Sequence, residues 1–179
     1  MTTDTVGAET LDERHAGRDR PPSLRLRQGL ALLLGAVIFA AVVGPEPGRF
    51  YLTPLGLGLV YLLAAAAGGR RGGYWATAIV LLAWGAAVVW LRESRPELDT
   101  AGVYMTAVGL GAAAGILVAR RGVAVDPLGL AGTIVLAGLS LAFASRWDVL
   151  VDAQAYALLV GLVGLVNAVA GAIAGRRSG

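Results

Sequence analysis

Six apolar segments alternate with short polar or glycine-rich segments along the 179-residue chain. Most of them approach or exceed the roughly 18 residues expected of a membrane-spanning helix. Prolines, glycines and charged residues, which end helices, occupy the intervals between them. The pattern predicts an all-α fold, a polytopic membrane protein with six transmembrane helices. The predicted spans are about Gln28 to Val43, Phe50 to Gly69, Tyr74 to Leu91, Ala101 to Ala119, Pro127 to Ala144 and Val151 to Gly175.

The second, fourth and sixth spans begin with related motifs: YLTPLGLG at Tyr51, YMTAVGLG at Tyr104 and a more divergent YALLVGLV at Tyr156. Each span is followed by a pair of arginines, at 70–71, 120–121 and 176–177. A motif that recurs at a fixed spacing, followed each time by an arginine pair, indicates repeated supersecondary units. We predict three hairpins, covering about 25–71, 72–121 and 122–177. The residues of the repeat motif are Tyr51, Thr53, Gly56, Tyr104, Thr106, Gly109, Tyr156 and Gly161.

The start of the chain differs from the rest. It has no apolar periodicity, and residues 1–20 contain five acids and three arginines. Such a segment cannot bury enough apolar surface to fold alone. We therefore predict that residues 1–24 form a disordered tail and that residues 25–177 form the transmembrane domain.

Arginine is distributed unequally between the two ends of the predicted helices. One side, with the tail and the three pairs, carries eleven arginines, and the other side carries four: Arg49, Arg92, Arg95 and Arg146. Basic residues concentrate on the cytoplasmic side of membrane proteins. This count predicts a multi-pass protein of the cell (inner or plasma) membrane with both termini, and hence the tail, in the cytoplasm.

The composition limits the chemistry that the chain can perform. Apolar residues make up 56% of it and the mean hydropathy is +0.69. There is no cysteine, which excludes disulfides and thiolate chemistry. The net charge of +3 reflects the arginine bias, because no basic patch with interleaved aromatic residues is present. We expect membrane lipids as partners and no nucleic acid.

No charged residue or histidine lies near the middle of a predicted span. Charged groups at that depth are typical of pumps and proton-coupled transporters, so the pattern argues against both. The single histidine, His15, lies in the tail, and metal ligands occur in clusters. The spans contain no paired carboxylates and no nucleophile beside a base. We predict no enzymatic activity, no cofactor and no metal.

Small residues are the more informative feature of the spans. Gly111 and Gly115 form a GxxxG motif on the fourth span, and Gly171 and Gly175 form another on the sixth, close to Asn167. Such residues lie on one helix face and allow backbones to approach closely. The two motifs are interpreted as packing within the monomer or as a contact between subunits. Asn167 needs a hydrogen-bond partner in the membrane, so it either joins two helices or lines a solute path.

The repeat tyrosines are predicted to lie at the outer membrane interface, where aromatic residues act as anchors. Thr53 and Thr106 occupy equivalent positions in the repeat. Their hydroxyls can donate to carbonyls of their own helices, so neither residue requires a functional role.

Three hairpins of about 50 residues, with glycine-containing apolar helices and arginine-marked turns, resemble the HdeD family. The resemblance rests on Leu32 to Val43, Ala78 to Leu91, Leu130 to Ala144 and the three tyrosine-led spans. Members are bacterial six-span membrane proteins built from a short repeat of unknown function, and the founding member is associated with acid resistance. The resemblance implies a non-enzymatic membrane protein that contributes to envelope stress or acid tolerance.

Two other functions remain open on the sequence. The chain is alternatively a small channel or transporter subunit, assembled through its glycine faces as a homo-oligomer. It is alternatively an accessory subunit that packs against a larger membrane complex.

Overall fold

The computed structural model describes residues 22–143, 146 and 152–177. This part of the chain contains six α-helices and two short 3-10 helices, Pro47–Leu52 and Gly69–Arg71, and no strand. The predicted tail lies outside the described residues, except for its last three, which belong to the first helix. The α-helices are α1 (Pro22–Val43), α2 (Thr53–Gly68), α3 (Trp75–Ser94), α4 (Thr100–Arg120), α5 (Pro127–Phe143) and α6 (Ala153–Arg177).

Five of these helices, all but α5, are long and apolar enough to cross a membrane. The 17 residues of α5 extend about 25 Å, which is less than the roughly 30 Å of a hydrocarbon core. The chain is thus an all-helical protein with the character of an integral membrane protein.

The start of α1 differs from the predicted first span. The helix begins at Pro22, six residues before Gln28, where the span was predicted to begin. Arg25 and Arg27 therefore lie within the helix rather than ahead of it. The apolar pattern underestimated the helix because its first turns carry these charged residues.

The helices pack in the spatial order α6–α1–α2–α3–α4, and each is antiparallel to its neighbours. The helices of the first two predicted hairpins, α1–α2 and α3–α4, are packed pairs, but α2 and α3 pack together as well, so the contacts do not single out the predicted hairpins. In the third, α6 packs along α1, and α5 makes its main helix contact with α3. The last helix of the chain therefore lies beside the first.

Most of the apolar core lies among α1, α2, α3 and α6, and α5 adds Ala137. Buried side chains from these four helices include Leu32, Phe39, Leu57, Val60, Leu81, Trp84, Tyr156 and Val160. By contrast, only Gly111 and Gly115 are buried in α4. Large apolar side chains on the outer faces, such as Leu34, Leu110 and Leu162, are more than half exposed. They form the surface that a bilayer would contact.

The antiparallel order brings the charged residues to two opposite ends of the bundle. The first, called here the arginine end, carries one acid, Asp126, and seven arginines whose side chains are described: Arg25, Arg27, Arg70, Arg71, Arg120, Arg121 and Arg176. The second, called the acidic end, carries Glu46, Arg49, Arg92, Glu93, Arg95, Glu97, Asp99, Arg146 and Asp152.

Candidate functional site

Two loops meet at the arginine end. The loop between α2 and α3 and the loop between α4 and α5 are joined by three hydrogen bonds. Arg70 donates from Nη2 to the Arg121 carbonyl at 2.6 Å, and the Ala124 amide donates to the Arg70 carbonyl at 2.8 Å. The third bond runs from the Asp126 amide to the Gly73 carbonyl at 2.9 Å. Two arginine pairs, 50 residues apart in sequence, thereby lie on adjoining loops.

Gln28 is fully buried beneath the first of these loops. Its Nε2 donates to the Gly72 carbonyl at 2.8 Å and to the Ala64 carbonyl at 3.3 Å. The side chain fits because the neighbouring residues are glycines: a Cβ on Gly72 would lie 2.6 Å from Nε2, and one on Gly68 would clash with the same atom. The bonds connect α1 to α2 and to the loop that follows it.

The Oε1 atom of Gln28 is buried and has no hydrogen-bond partner among the described residues. A buried acceptor without a donor is costly, and a bound water molecule commonly satisfies one. The sequence analysis treated Gln28 only as the first residue of a span. Its signal was present nevertheless, as a single amide side chain at the edge of an apolar segment.

Other polar groups surround the start of α3 and α5. The Asp126 Oδ1 accepts from the amides of Leu128 and Gly129, both at 3.2 Å, and so caps α5. The rings of Tyr61 and Tyr74 meet edge to face, with centroids 5.6 Å apart. The arrangement holds the two loops and three helix ends together.

This arrangement offers positive charge rather than a reactive group. The side chains of Arg70, Arg71, Arg120 and Arg121 are all exposed, and none forms an ion pair with a described carboxylate. Within the described ranges, no group of three or more histidine, cysteine, aspartate or glutamate residues could hold a metal ion. The chemistry available at this end is the binding of anions by guanidinium groups.

The glycines of the fourth span lie against α3. A Cβ on Gly111 would be 2.9 Å from the Val80 Cα, and a Cβ on Gly115 would be 3.0 Å from the Ala76 Cβ. Backbones therefore approach closely here, within one chain. On α6, Gly171 is buried and Gly175 is exposed. Asn167 donates from Nδ2 to the Val163 carbonyl of its own helix at 2.8 Å, so the bond that the structure gives it joins no second helix.

The closest helix contact of α6 involves a glycine that the sequence analysis did not select. Gly164 faces Gly29 of α1: a Cβ on Gly164 would be 3.0 Å from the Gly29 carbonyl oxygen, and one on Gly29 would be 2.6 Å from the Gly164 carbonyl oxygen. Two glycines on facing helices allow this approach. In the sequence, only a comparison of glycine positions between non-neighbouring spans could have indicated this contact.

Equivalent positions of the repeat lie in different environments. Thr53 is buried and its hydroxyl has no partner among the described residues, whereas Thr106 is exposed and donates to the Gly102 carbonyl at 2.8 Å. The glycines diverge in the same way. A Cβ on Gly56 would be 2.7 Å from the Phe39 ring and one on Gly161 would be 3.8 Å from Ala36, but one on Gly109 would meet nothing within 4 Å.

The repeat tyrosines also differ. Tyr51 is half-buried, with the Arg92 guanidinium 5.7 Å from the centre of its ring, and Tyr104 is half-buried as well. Tyr156 is only 6% exposed and packs against Phe50, with ring centroids 6.1 Å apart. All three lie toward the acidic end, but Tyr156 belongs to the core.

Two open apolar grooves mark the surface. One, of about 450 Å³, runs between α1 and α6 and is lined by residues such as Ala36, Ala157 and Gly161. The other, of about 440 Å³, lies along the start of α4 beside Gly102 and Thr106. Both have the character of lipid-facing surface rather than of a polar passage.

Comparison with known protein families, with curated proteins and with solved structures gave no match.

Proposed function

We propose that the chain is a non-enzymatic, HdeD-like integral membrane protein that contributes to envelope stress or acid tolerance. One observation carries the first part of this proposal. Every arginine, aspartate and glutamate among the described residues lies at the arginine end or at the acidic end, with apolar helix between. A proton relay or ion path requires ionisable groups at membrane depth. The charge distribution therefore favours a structural role over transport.

The proposal includes six crossings of the membrane. The Asp126 amide, at the start of α5, is bonded to Gly73 at the arginine end. Tyr156, at the start of α6, contacts Phe50 at the acidic end. These two points lie at opposite ends of the bundle, which supports a sixth crossing between Asp126 and Tyr156. The arginine bias assigns the arginine end to the cytoplasm.

Reporter fusions test this topology. Fusions after Gly69, Ala119 and Gly175 should report a cytoplasmic location, and fusions after Gly48 and Pro96 should report the outside. A cytoplasmic signal after Pro96, or an outside signal after Ala119, would contradict the order of crossings. Neither result depends on the stress role.

The stress role is tested by deletion. A strain without the gene should survive acid or membrane-perturbing treatment less well than its parent, and the full chain should restore survival. The matched control is a chain with Gly29→Leu, which should fail to pack α1 against α6 and should not restore survival. Equal survival of the parent and the deletion strain under these treatments would overturn the assignment.

A second candidate is an accessory subunit or a homo-oligomer, and it is favoured by glycines that face open space. A Cβ on Gly109 of α4, or on Gly132 or Gly138 of α5, would meet nothing within 4 Å. Only 11% of the apolar stretch of α4 is buried against the rest of the protein. Glycines in membrane helices commonly allow a second helix to approach. The open face of α4 is therefore the surface that a second chain or a partner helix would contact.

Cysteine crosslinking distinguishes this candidate, because the chain has no native cysteine. A Gly109→Cys chain should form a crosslinked dimer in membranes if α4 meets a second copy. Leu162→Cys is the control, since Leu162 is exposed at a similar distance along α6. Crosslinking of both variants to the same extent would indicate random collision and would remove the support for α4 as an interface.

A further inference from the structure

The two joined loops collect four like charges in a small region. The bonds between Arg70, Arg121 and Ala124 fix the relation of the loops. Arg71 ends the 3-10 helix and Arg120 ends α4, so each is the sequence neighbour of an arginine in the bond between Arg70 and Arg121. Among the described residues of this end, the only acid is Asp126, whose Oδ1 accepts from two amides at the start of α5. The four guanidiniums thus outnumber the carboxylates among the described side chains of this end.

Part of this charge is offset by the carbonyl ends of helices. Arginines near a helix C-terminus interact favourably with its unpaired carbonyls, and the bond from Arg70 to the Arg121 carbonyl is an interaction of this kind. The side chains of Arg71 and Arg120 are exposed, and the structure shows no such bond for either. These two have donors available to an external anion.

We propose that Arg71 and Arg120, together with Arg70 and Arg121, bind the phosphate of an anionic phospholipid headgroup. A planar guanidinium can donate two parallel hydrogen bonds to one phosphate, and two guanidiniums on adjoining loops can share a phosphate between them. Basic pockets between membrane helices bind lipid headgroups in this way. The site gives the arginine end a defined lipid ligand in addition to its topological role.

The depth of the loops selects a lipid phosphate over a soluble anion. The indole of Trp75 donates from Nε1 to the Gly69 carbonyl at 2.9 Å, so the ring lies directly beside the first loop. Tryptophan is enriched at the level of the lipid headgroups. The arginine loops therefore lie where phospholipid phosphates are concentrated.

The experiment compares the melting temperature of the full purified chain in detergent micelles containing phosphatidylglycerol or phosphatidylcholine. Phosphatidylglycerol should raise it and phosphatidylcholine should not. Arg71→Gln combined with Arg120→Gln should abolish the increase and weaken phosphatidylglycerol binding by roughly 30-fold, since each arginine near the surface contributes a factor of about 5. Native mass spectrometry counts the lipids that remain bound to each variant.

Two controls make the result decisive. Arg92→Gln combined with Arg95→Gln removes the same charge from the acidic end and should keep the response of the parent. Equal responses in both double variants would show unspecific attraction and would overturn the site. An equal increase with inorganic phosphate would identify a free anion as the ligand and would overturn the lipid assignment. If the Arg71/Arg120 variant does not fold, the single variant Arg71→Gln must show a reduced count of bound phosphatidylglycerol, and an unchanged count refutes the proposal.

Discussion

A single added methyl group tests the contact between α1 and α6. In Gly29→Ala, the new Cβ would lie 2.6 Å from the Gly164 carbonyl oxygen and 2.8 Å from the Ala168 Cα. It would lie closest to the Ala168 backbone nitrogen, and because ordinary van der Waals contact begins at 3.4 Å, α6 would have to retreat by about 1 Å. The opposing atoms belong to a helix backbone and cannot rotate away as a flexible side chain can.

The expected energy follows from two opposing effects. Overpacking of this kind costs about 1–3 kcal/mol, whereas alanine is favoured over glycine in a helix by up to about 1 kcal/mol. Gly29→Ala should therefore lower the free energy of unfolding by about 1–2 kcal/mol. The matched control is Gly109→Ala, where the Cβ enters open space. This variant should keep the preference of a helix for alanine over glycine, and its free energy of unfolding should rise by up to about 1 kcal/mol.

The assay is thermal unfolding of both variants in the same detergent, followed by circular dichroism. The preference of helices for alanine is common to both variants, so they differ by the overpacking cost of about 1–3 kcal/mol, which corresponds to a gap of about 2–12 °C in Tm for a chain of this size. If Gly29→Ala melts at or above the temperature of Gly109→Ala, the close approach of α1 and α6 is refuted.

The remaining predictions concern three other contacts, each measured by thermal unfolding in detergent. Gly111→Leu combined with Gly115→Leu should lower Tm, because both positions already lie close to α3. The control Leu110→Ala, on the exposed side of α4, should change Tm little. An unchanged Tm in the double variant would contradict the packing of α4 against α3. Gln28→Ala should lower the free energy of unfolding by about 2–4 kcal/mol, because it leaves a void and removes the donor to the Gly72 carbonyl. A Tm equal to that of the parent would show that this hydrogen bond does not contribute to stability. Asp126→Ala should cost about 1 kcal/mol through the loss of the α5 cap, and Asp126→Asn, which can still accept, should cost less.

The positions of the helices could be predicted from the sequence because the length of an apolar segment is a local property. The predicted third and fourth spans agree with Trp75–Ser94 and Thr100–Arg120 to within three residues at each end. The start of α1 was predicted too late, because the arginines in its first turns interrupt the apolar segment. The predicted fifth span, about Pro127 to Ala144, agrees with Pro127–Phe143 to within one residue, and Ala144 lies outside the described residues.

The partners of the helices could not be predicted in the same way. Neighbouring spans joined by short loops usually pair, and α1–α2 and α3–α4 do so. The contact between α1 and α6 joins the two ends of the chain, and it depends on Gly29 and Gly164 facing each other across it. The role of Gln28 was missed for a related reason, since its hydrogen bonds are to carbonyls of α2 and of the following loop.

The position of α6 beside α1 has a consequence for biosynthesis. A polypeptide is inserted into the membrane from its N-terminus, so α1 is the first of these helices to leave the ribosome and α6 is the last. Before α6 arrives, the backbone of α1 around Gly29 has no protein neighbour on that face. A nascent chain that stops before Ala153 keeps this face exposed to lipid, where chaperones and proteases of the membrane can reach it. Completion of the helical core thus has to wait for the synthesis of α6.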